Sequence, residues 1–314
     1  AEMSEGEVMR YRRDVGFVFQ DFKLLPDKTV LENLTFVLNA LGVWSTVAST
    51  RVQPYRRMRV WDAGAAGEMA FDADAFGRDC LGHIVEHALL VDRLWAAVSR
   101  NPAIQRLCPD KLQELDQDES GVSLMLQSGR RLRARLVLGA DGAASRVRDL
   151  VGFPLDEHDY GQSGLVAYVR TARPHESTCW QRFLATGPLA FLPCSDGRSS
   201  IVWTVPTLEA ERLLAIDEAS FRAELTRAFD ARLGEVTEVS GRRAFPLRRR
   251  LARQMLHGRV ALIGDAAHAV HPLAGQGVNL GLRDVGALAA LVHEAQSSGV
   301  DFTSAMLGEA LIEP

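Results

Sequence analysis

The chain has 314 residues, 47% of them hydrophobic and 24% charged, with a formal net charge of −4. That length builds one large or two moderate domains around a real core, and the mild acidity gives nucleic acid no footing as a partner. The four cysteines (Cys80, Cys108, Cys179 and Cys194) are far apart and make no CxxC pair, which excludes a disulfide framework or a zinc knuckle and points to a reducing cytoplasm.

The first ten residues, "AEMSEGEVMR", are acidic and lack the apolar stretch of a signal peptide. No run of about 18 apolar residues offers a membrane span. Only three of the 36 basic residues are lysines, and two of these, Lys23 and Lys28, fall near the start. In chain order, Val15 to Phe19 suits a buried strand, and Thr29 with Glu32 makes a capping box for a following helix. Arg51 to Ala70 alternates and turns on glycines, predicting strands around a turn. Gly82 to Val98 carries apolar residues at helical spacing and predicts a buried helix. "GVSLMLQSGRRLRARLVLGADG" predicts a hairpin at Ser128-Gly129 whose second strand runs into a Gly-Ala-Asp-Gly turn.

Four strand-like runs between Gly164 and Val205 predict an antiparallel meander, and Leu208 to Leu233 an amphipathic helix or helix pair. "ALIGD" reads as a fully buried strand, and Gly277 to Val292 as a largely apolar helix. The fold class expected is α/β with an α+β insertion: a truncated Rossmann-like domain interrupted by an antiparallel-sheet domain.

"VALIGDAAHAVHPLAGQGVNLGLRD" (260–284) carries the densest chemistry. A buried strand ending in Gly264-Asp265 sets a carboxylate at the carboxyl edge of a sheet, where ligands of open α/β folds sit. There it can accept hydrogen bonds from sugar-type hydroxyls. His271-Pro272 fixes a turn, and "AGQGVNLG" then opens a helix whose first amides are bare and favour negative charge. A plain glycine-rich loop between a core strand and a core helix is the alternative. In "LVLGADGAASRVR" (136–148), a strand runs into Gly139, Asp141 and Gly142, by itself a common loop.

The 260–284 segment resembles the second FAD-binding motif of class A flavoprotein monooxygenases, most of all the ubiquinone-biosynthesis hydroxylases. The resemblance implies that Asp265, after Gly264, holds the ribityl chain, and that His271, Pro272, Gly275, Gly277 and Asn279 line the flavin. It also identifies "LVLGADGAASRVR" with the family motif that serves both FAD and NAD(P)H, with Asp141, Gly142 and Arg146 at matching positions; Arg148 and Asp149 read as solvated helix charges. "YRRMRVWDAG" and "LGHIVE" are similar to family sequence too, so the resemblance runs from about Leu41 to Gly299. Val91 takes a place where the family has a polar residue near the flavin. "HIVEH" (83–87) matches an inverted zinc-peptidase pattern if both histidines share one helix face; the family's own "HIVEN" accounts for it without metal.

No G-x-G-x-x-G occurs in the sequence; "GQGVNLG" is spaced differently and belongs to the second motif. The first βαβ unit of the family is expected to be missing, and the family's helical tail after Gly299 trimmed. Residues 1 to about 40 resemble instead the Q-loop segment of a cell-division (FtsE-like) ABC ATPase, with Gln20 as its glutamine. Without a phosphate-cradling loop no ATP binding is expected. The chain is expected to be chimeric: an ABC-like fragment over 1–40, part of the FAD domain over 41–155, a substrate domain over 156–250, and a return of the FAD domain over 251–314.

The resemblance implies a ring hydroxylase in which NAD(P)H reduces FAD and one oxygen atom of O₂ passes to an electron-rich carbon of a small aromatic or prenylated phenol. No residue need act as a covalent nucleophile, so no catalytic side chain is assigned. Phe183, Phe191 and Trp203 are candidates for the substrate pocket, with plain sheet core as the alternative. An inert fusion, an ATPase-derived binding module and peripheral docking at the inner membrane stay open.

Overall fold

The computed structural model describes residue 38, residues 42–271 and residues 276–299. The ABC-like segment with Val15 to Phe19, Gln20 and the Thr29 capping box, and also Pro272 and Gly275, lie outside the described residues. The described part opens with helix α1 (Trp44–Ala48), strands β1 (Val52–Tyr55), β2 (Arg57–Asp62), β3 (Glu68–Asp72) and β4 (Gly82–Val85), and helix α2 (His87–Arg100). Strands β5 (Leu112–Asp118), β6 (Gly121–Leu126), β7 (Arg131–Ala134) and β8 (Val137–Gly139) lead to helix α3 (Arg146–Val151). Then come β9 (Leu155–Thr171), β10 (Thr178–Leu184), β11 (Gly187–Pro193), β12 (Ser199–Pro206), and helices α4 (Thr207–Ala215) and α5 (Glu218–Ala228). Strands β13 (Val236–Val239), β14 (Arg243–Ala252), β15 (Leu256–His257), β16 (Val260–Leu262) and β17 (His268–Ala269) precede helix α6 (Gln276–Ser297).

A nine-stranded sheet holds the order β17-β14-β9-β12-β11-β10-β2-β3, with β13 added on β9. The predicted strands of 164–205 are all present, yet only β10, β11 and β12 form a simple meander. Strand β9 pairs with β12 at the far side of it, and β10 closes the other side by pairing in parallel with β2. At 17 residues β9 spans roughly 55 Å and joins the two halves of the molecule. Its first half lies along β14, with Asp156, Glu157 and Asp159 meeting Arg249, Arg250 and Arg248 at 3.0–3.4 Å. Such half-exposed pairs each add a fraction of a kcal/mol, with opposite charges facing each other across the strand pair.

Helices α4 and α5 cover one face of this sheet. Leu165, Leu189, Phe191, Ile201, Leu213, Phe221 and Leu225 are fully buried between them. Two arginines, Arg242 just before β14 and Arg182 on β10, finish the helices. Arg242 donates to the Leu213 and Ile216 carbonyls at 2.8 and 2.7 Å, and Arg182 to the Ala228 carbonyl at 2.9 Å, which satisfies orphan carbonyls at the negative helix ends.

Two expectations change here. Residues 82–85 form strand β4, paired with β1 (Pro54 opposite His83), and the helix begins only at His87. His83 therefore lies on a strand with its ring edge-on to Trp44, while Glu86 meets Arg51 at 3.3 Å. The two histidines share no helix face, and the zinc pattern loses its geometry. Second, the run after Ser128-Gly129 is two strands. β7 pairs with β6, whereas β8 joins β16 and β15 in a separate three-stranded sheet. Among the described residues no helix is long and apolar enough to cross a membrane.

Candidate flavin site

Strands β8 and β16 run parallel, Val260 to Leu262 opposite Val137 to Gly139, so both sequence motifs emerge at the same carboxyl edge. Close packing explains the glycine there. A Cβ on Gly139 would stand 2.7 Å from Leu262 and 3.0 Å from Val147. Val260, Ala261 and Leu262 are all buried, which anchors the turn that follows as a short 3₁₀ segment, Gly264–Ala266.

That turn packs against α6. Gly264 has φ +59° and sits so close to the helix that a Cβ on Gly281 would approach its Cα to 3.3 Å. A Cβ on Gly277, in the first helical turn, would lie 3.8 Å from the Asp265 carboxylate. Asp265 is exposed, and its carboxylate has no hydrogen-bond partner among the described residues. An open carboxylate thus faces a glycine in the first turn of α6. Gly281→Val should cost roughly 2–4 kcal/mol of stability through overpacking against Gly264, measured as the shift of the urea midpoint.

The 139–148 loop is built differently from the expectation. Gly142 turns at φ +81°, where glycine is needed. The Asp141 carboxylate is used within its own loop: it accepts from the Ser145 hydroxyl and from the backbone N–H of Arg146 (2.7 Å) and Val147 (3.1 Å). Ser145 in turn caps α3, accepting from the Arg148 N–H at 3.0 Å. Burial opposes ionisation of Asp141, but the Ser145 hydroxyl and these amides outweigh it and hold its carboxyl below the usual range. Because that folded-state value is depressed, its stabilisation is present above the ordinary carboxyl value and lost as pH falls through the folded one. Asp141→Asn should therefore flatten the acid limb of the stability–pH curve below about pH 4, read by thermal melts.

Arg146, expected at the site, reaches back to the Gln113 carbonyl at 3.2 Å and lies exposed. The arginine that matters to the geometry is Arg148, expected to be a solvated charge yet 4% exposed. Its Nη1 donates to the Ala266 carbonyl at 3.1 Å and its Nη2 to the Ala143 carbonyl at 3.0 Å. One guanidinium thereby ties the two motif loops together, and Arg250 holds Ala143 from the other side at 3.1 Å. Arg148 lies three residues before Val151, on the inward side of α3, a spacing that could have marked it.

His271 stacks edge-on against Tyr160 of β9 at 4.9 Å, and Tyr160 against His158 at 4.8 Å. Burial lowers the pKa of His271, which favours the neutral ring. Tyr160 carried no sequence signal. Asn279 lies on α6, one turn past the helix start, and Val91 is exposed on α2.

Phe191 and Trp203 stand apart from the motifs. Phe191 stacks on Phe229 at 3.8 Å and Trp203 packs near Phe221, both beneath the helix pair. They are core, because the strand alternation turns them toward α4 and α5. Phe183 follows Arg182, which reaches α5, so Phe183 points to the opposite face. Register sets it in one cross-strand row with Pro188, Thr204, Gly164 and Phe245. Phe191→Ala should cost about 3–5 kcal/mol of stability and leave ligand affinity unchanged, separable by melting and titration of the same sample.

The FAD binding domain family matches residues 37–301, and the chain belongs to it. Among curated proteins it is similar to the 3-demethoxyubiquinol 3-hydroxylase of Escherichia coli K12, 40% identical over 268 residues that cover 85% of this chain and 68% of that protein. It is likewise 39% identical to the ubiquinone hydroxylase UbiL of Rhodospirillum rubrum, over 84% of this chain and 61% of that one. To the human mitochondrial ubiquinone biosynthesis monooxygenase COQ6 it is 35% identical, over 85% and 66%. The chain thus spans about two thirds of the length of these relatives. Among solved structures it matches PqsL of P. aeruginosa in complex with 2-aminobenzoylacetate at TM-score 0.73 and 25% identity, covering 89% and 77% of the two chains.

Proposed function

We propose that this chain carries the flavin and substrate machinery of an FAD-dependent monooxygenase that hydroxylates the ring of a prenylated phenol on the way to a quinone, with NAD(P)H as reductant. The observation that carries this reading is the open Asp265 carboxylate set between a buried parallel strand and the glycine-opened start of α6. That pair fits FAD: the acid accepts hydrogen bonds from ribityl hydroxyls, and the bare helix amides favour a negatively charged ring edge. Gly264, Gly277 and Gly281 leave room for a close approach, Asn279 follows on the same helix, and His271 stands at the rim. Bound FAD supplies electron transfer from NAD(P)H and delivery of one oxygen atom of O₂ to the substrate. The protein orients the ring and keeps water away. Strand β9 runs from beside His271 into the sheet face that carries Phe183 and the exposed Phe245, an apolar floor for an aromatic or prenyl group. The E. coli, R. rubrum and human relatives, each named for ubiquinone chemistry, support this choice of substrate.

The test is turnover under ¹⁸O₂ with FAD, NADH or NADPH and a prenylated phenol, read by mass spectrometry. The reading expects product carrying one labelled oxygen atom. Flavin binding without label in any product would make the chain a flavin-binding module instead.

A further inference from the structure

The acid that faces the flavin position is not held by its own hydrogen bonds; the turn that presents it is held from α6. Asp284 Oδ2 accepts the Gly264 N–H at 2.7 Å and lies 2.7 Å from His268 Nε2. Gly264 immediately precedes Asp265, so the direction of that N–H sets where the next carboxylate goes. Gly281, one turn before Asp284, backs onto the same glycine. Helix α6 thus grips the turn twice, by packing and by charge.

His268 is mostly buried, with its side chain 12% exposed, and its Nδ1 has no partner among the described residues. The charged groups around it come from three elements. Asp284 projects from α6 and Asp265 from the turn. On β14, Arg250 stands opposite Ala269, its guanidinium already engaged by Glu157 and the Ala143 carbonyl. Two carboxylates thus act on one imidazole, Asp284 by a hydrogen bond and Asp265 through its field. Without a proton on that ring they repel each other across the turn.

We propose that Asp284 is a positioning residue for Asp265, and that the proton it keeps on His268 sets how tightly this turn takes a flavin. The inference rests on the FAD reading above. The hydrogen bond from His268 to Asp284 raises the imidazole pKa against the opposing pull of burial. With the folded-state value raised, the contribution is fully present below the ordinary imidazole value of 6.5 and is lost as pH rises through the folded one. Affinity for FAD falls over that same window.

Three proteins test this: the wild-type chain, Asp284→Asn and His268→Gln. Each is titrated with FAD by flavin fluorescence from pH 5.5 to 9, with the imidazole resonances of the flavin-free protein followed by NMR and folding checked by melting. Wild-type affinity should weaken about tenfold across the window. His268→Gln keeps a donor for Asp284 but carries no charge, so its affinity should be flat with pH, a result that a merely structural role would not give. Asp284→Asn should bind about tenfold more weakly at low pH and lower the His268 titration. If Asp284→Asn fails to fold, the His268→Gln profile decides. A His268→Gln slope equal to wild type, or an Asp284→Asn protein with unchanged affinity and unchanged His268 titration, overturns the inference. Wild-type protein that ignores FAD while Asp284→Asn still shifts His268 overturns the flavin reading and leaves the clamp standing.

Discussion

Replacing Asp265 with alanine is expected to weaken FAD binding roughly 100-fold while leaving the fold intact. The carboxylate is exposed and makes no hydrogen bond among the described residues, so its removal unpairs no donor there. What it removes is an anionic acceptor for two neighbouring hydroxyls, each charge-assisted bond being worth about 1.5–3 kcal/mol, and the lower end of that range for the pair is about two powers of ten. Asp265→Asn keeps one acceptor oxygen and should fall between the two. Equilibrium titration with FAD measures the loss, and a melting temperature within about 2 °C of wild type shows that it arises at the site. A pair of variants that bind FAD as wild type does would mean that the turn presents this acid to solvent only.

Arg148→Met should have the opposite profile: a large cost in stability, with flavin affinity lost only as a consequence. Methionine keeps the apolar stem and removes five donors. The Ala266 carbonyl then loses its guanidinium partner inside the core, and Ala143 keeps only Arg250. Each hydrogen bond from a charged donor is worth about 1.5–3 kcal/mol, so losing these two costs roughly 3–6 kcal/mol, a drop of about 10 °C in Tm for a chain of this size. Because the guanidinium ties the 139–148 loop to the 264–266 turn, hydrogen exchange should rise in both segments together. Exchange rising in one loop alone would show that the bridge does not couple them.

The sequence made the ends of this architecture legible and hid its joins. Val260 to Leu262 are so apolar that only a buried strand accommodates them, and Gly264-Asp265 after such a strand marks an edge. The helix pair after Val205 and the hairpin at Ser128-Gly129 follow from periodicity and turn chemistry. Residues 82–85 misled because Ile84 and Val85 satisfy a helical spacing as well as a β pair; the partner that decides, β1, lies some thirty residues away in sequence. The split between β7 and β8 leaves no local mark, since both halves alternate alike and only the choice of sheet differs. At the site, Asp265 was readable from its neighbours. Arg148 was passed over despite its spacing to Val151, because charge predicts exposure and two arginines stand two residues apart in one motif. The Asp284–His268 contact spans 16 residues and depends on the turn folding back onto α6. Tyr160 and His271 stand 111 residues apart in sequence and meet edge to edge, which no local pattern marks. Phe191 and Trp203 were placed by composition, which cannot choose between the two faces of a sheet.

The most direct test of the account is an FAD titration of the purified chain, followed by flavin fluorescence and by the visible spectrum. The account predicts saturable binding at micromolar FAD, with the flavin bands perturbed as the ring settles against the start of α6, and with both effects gone in Asp265→Ala. A colourless protein that leaves the fluorescence and spectrum of excess FAD unchanged would contradict it.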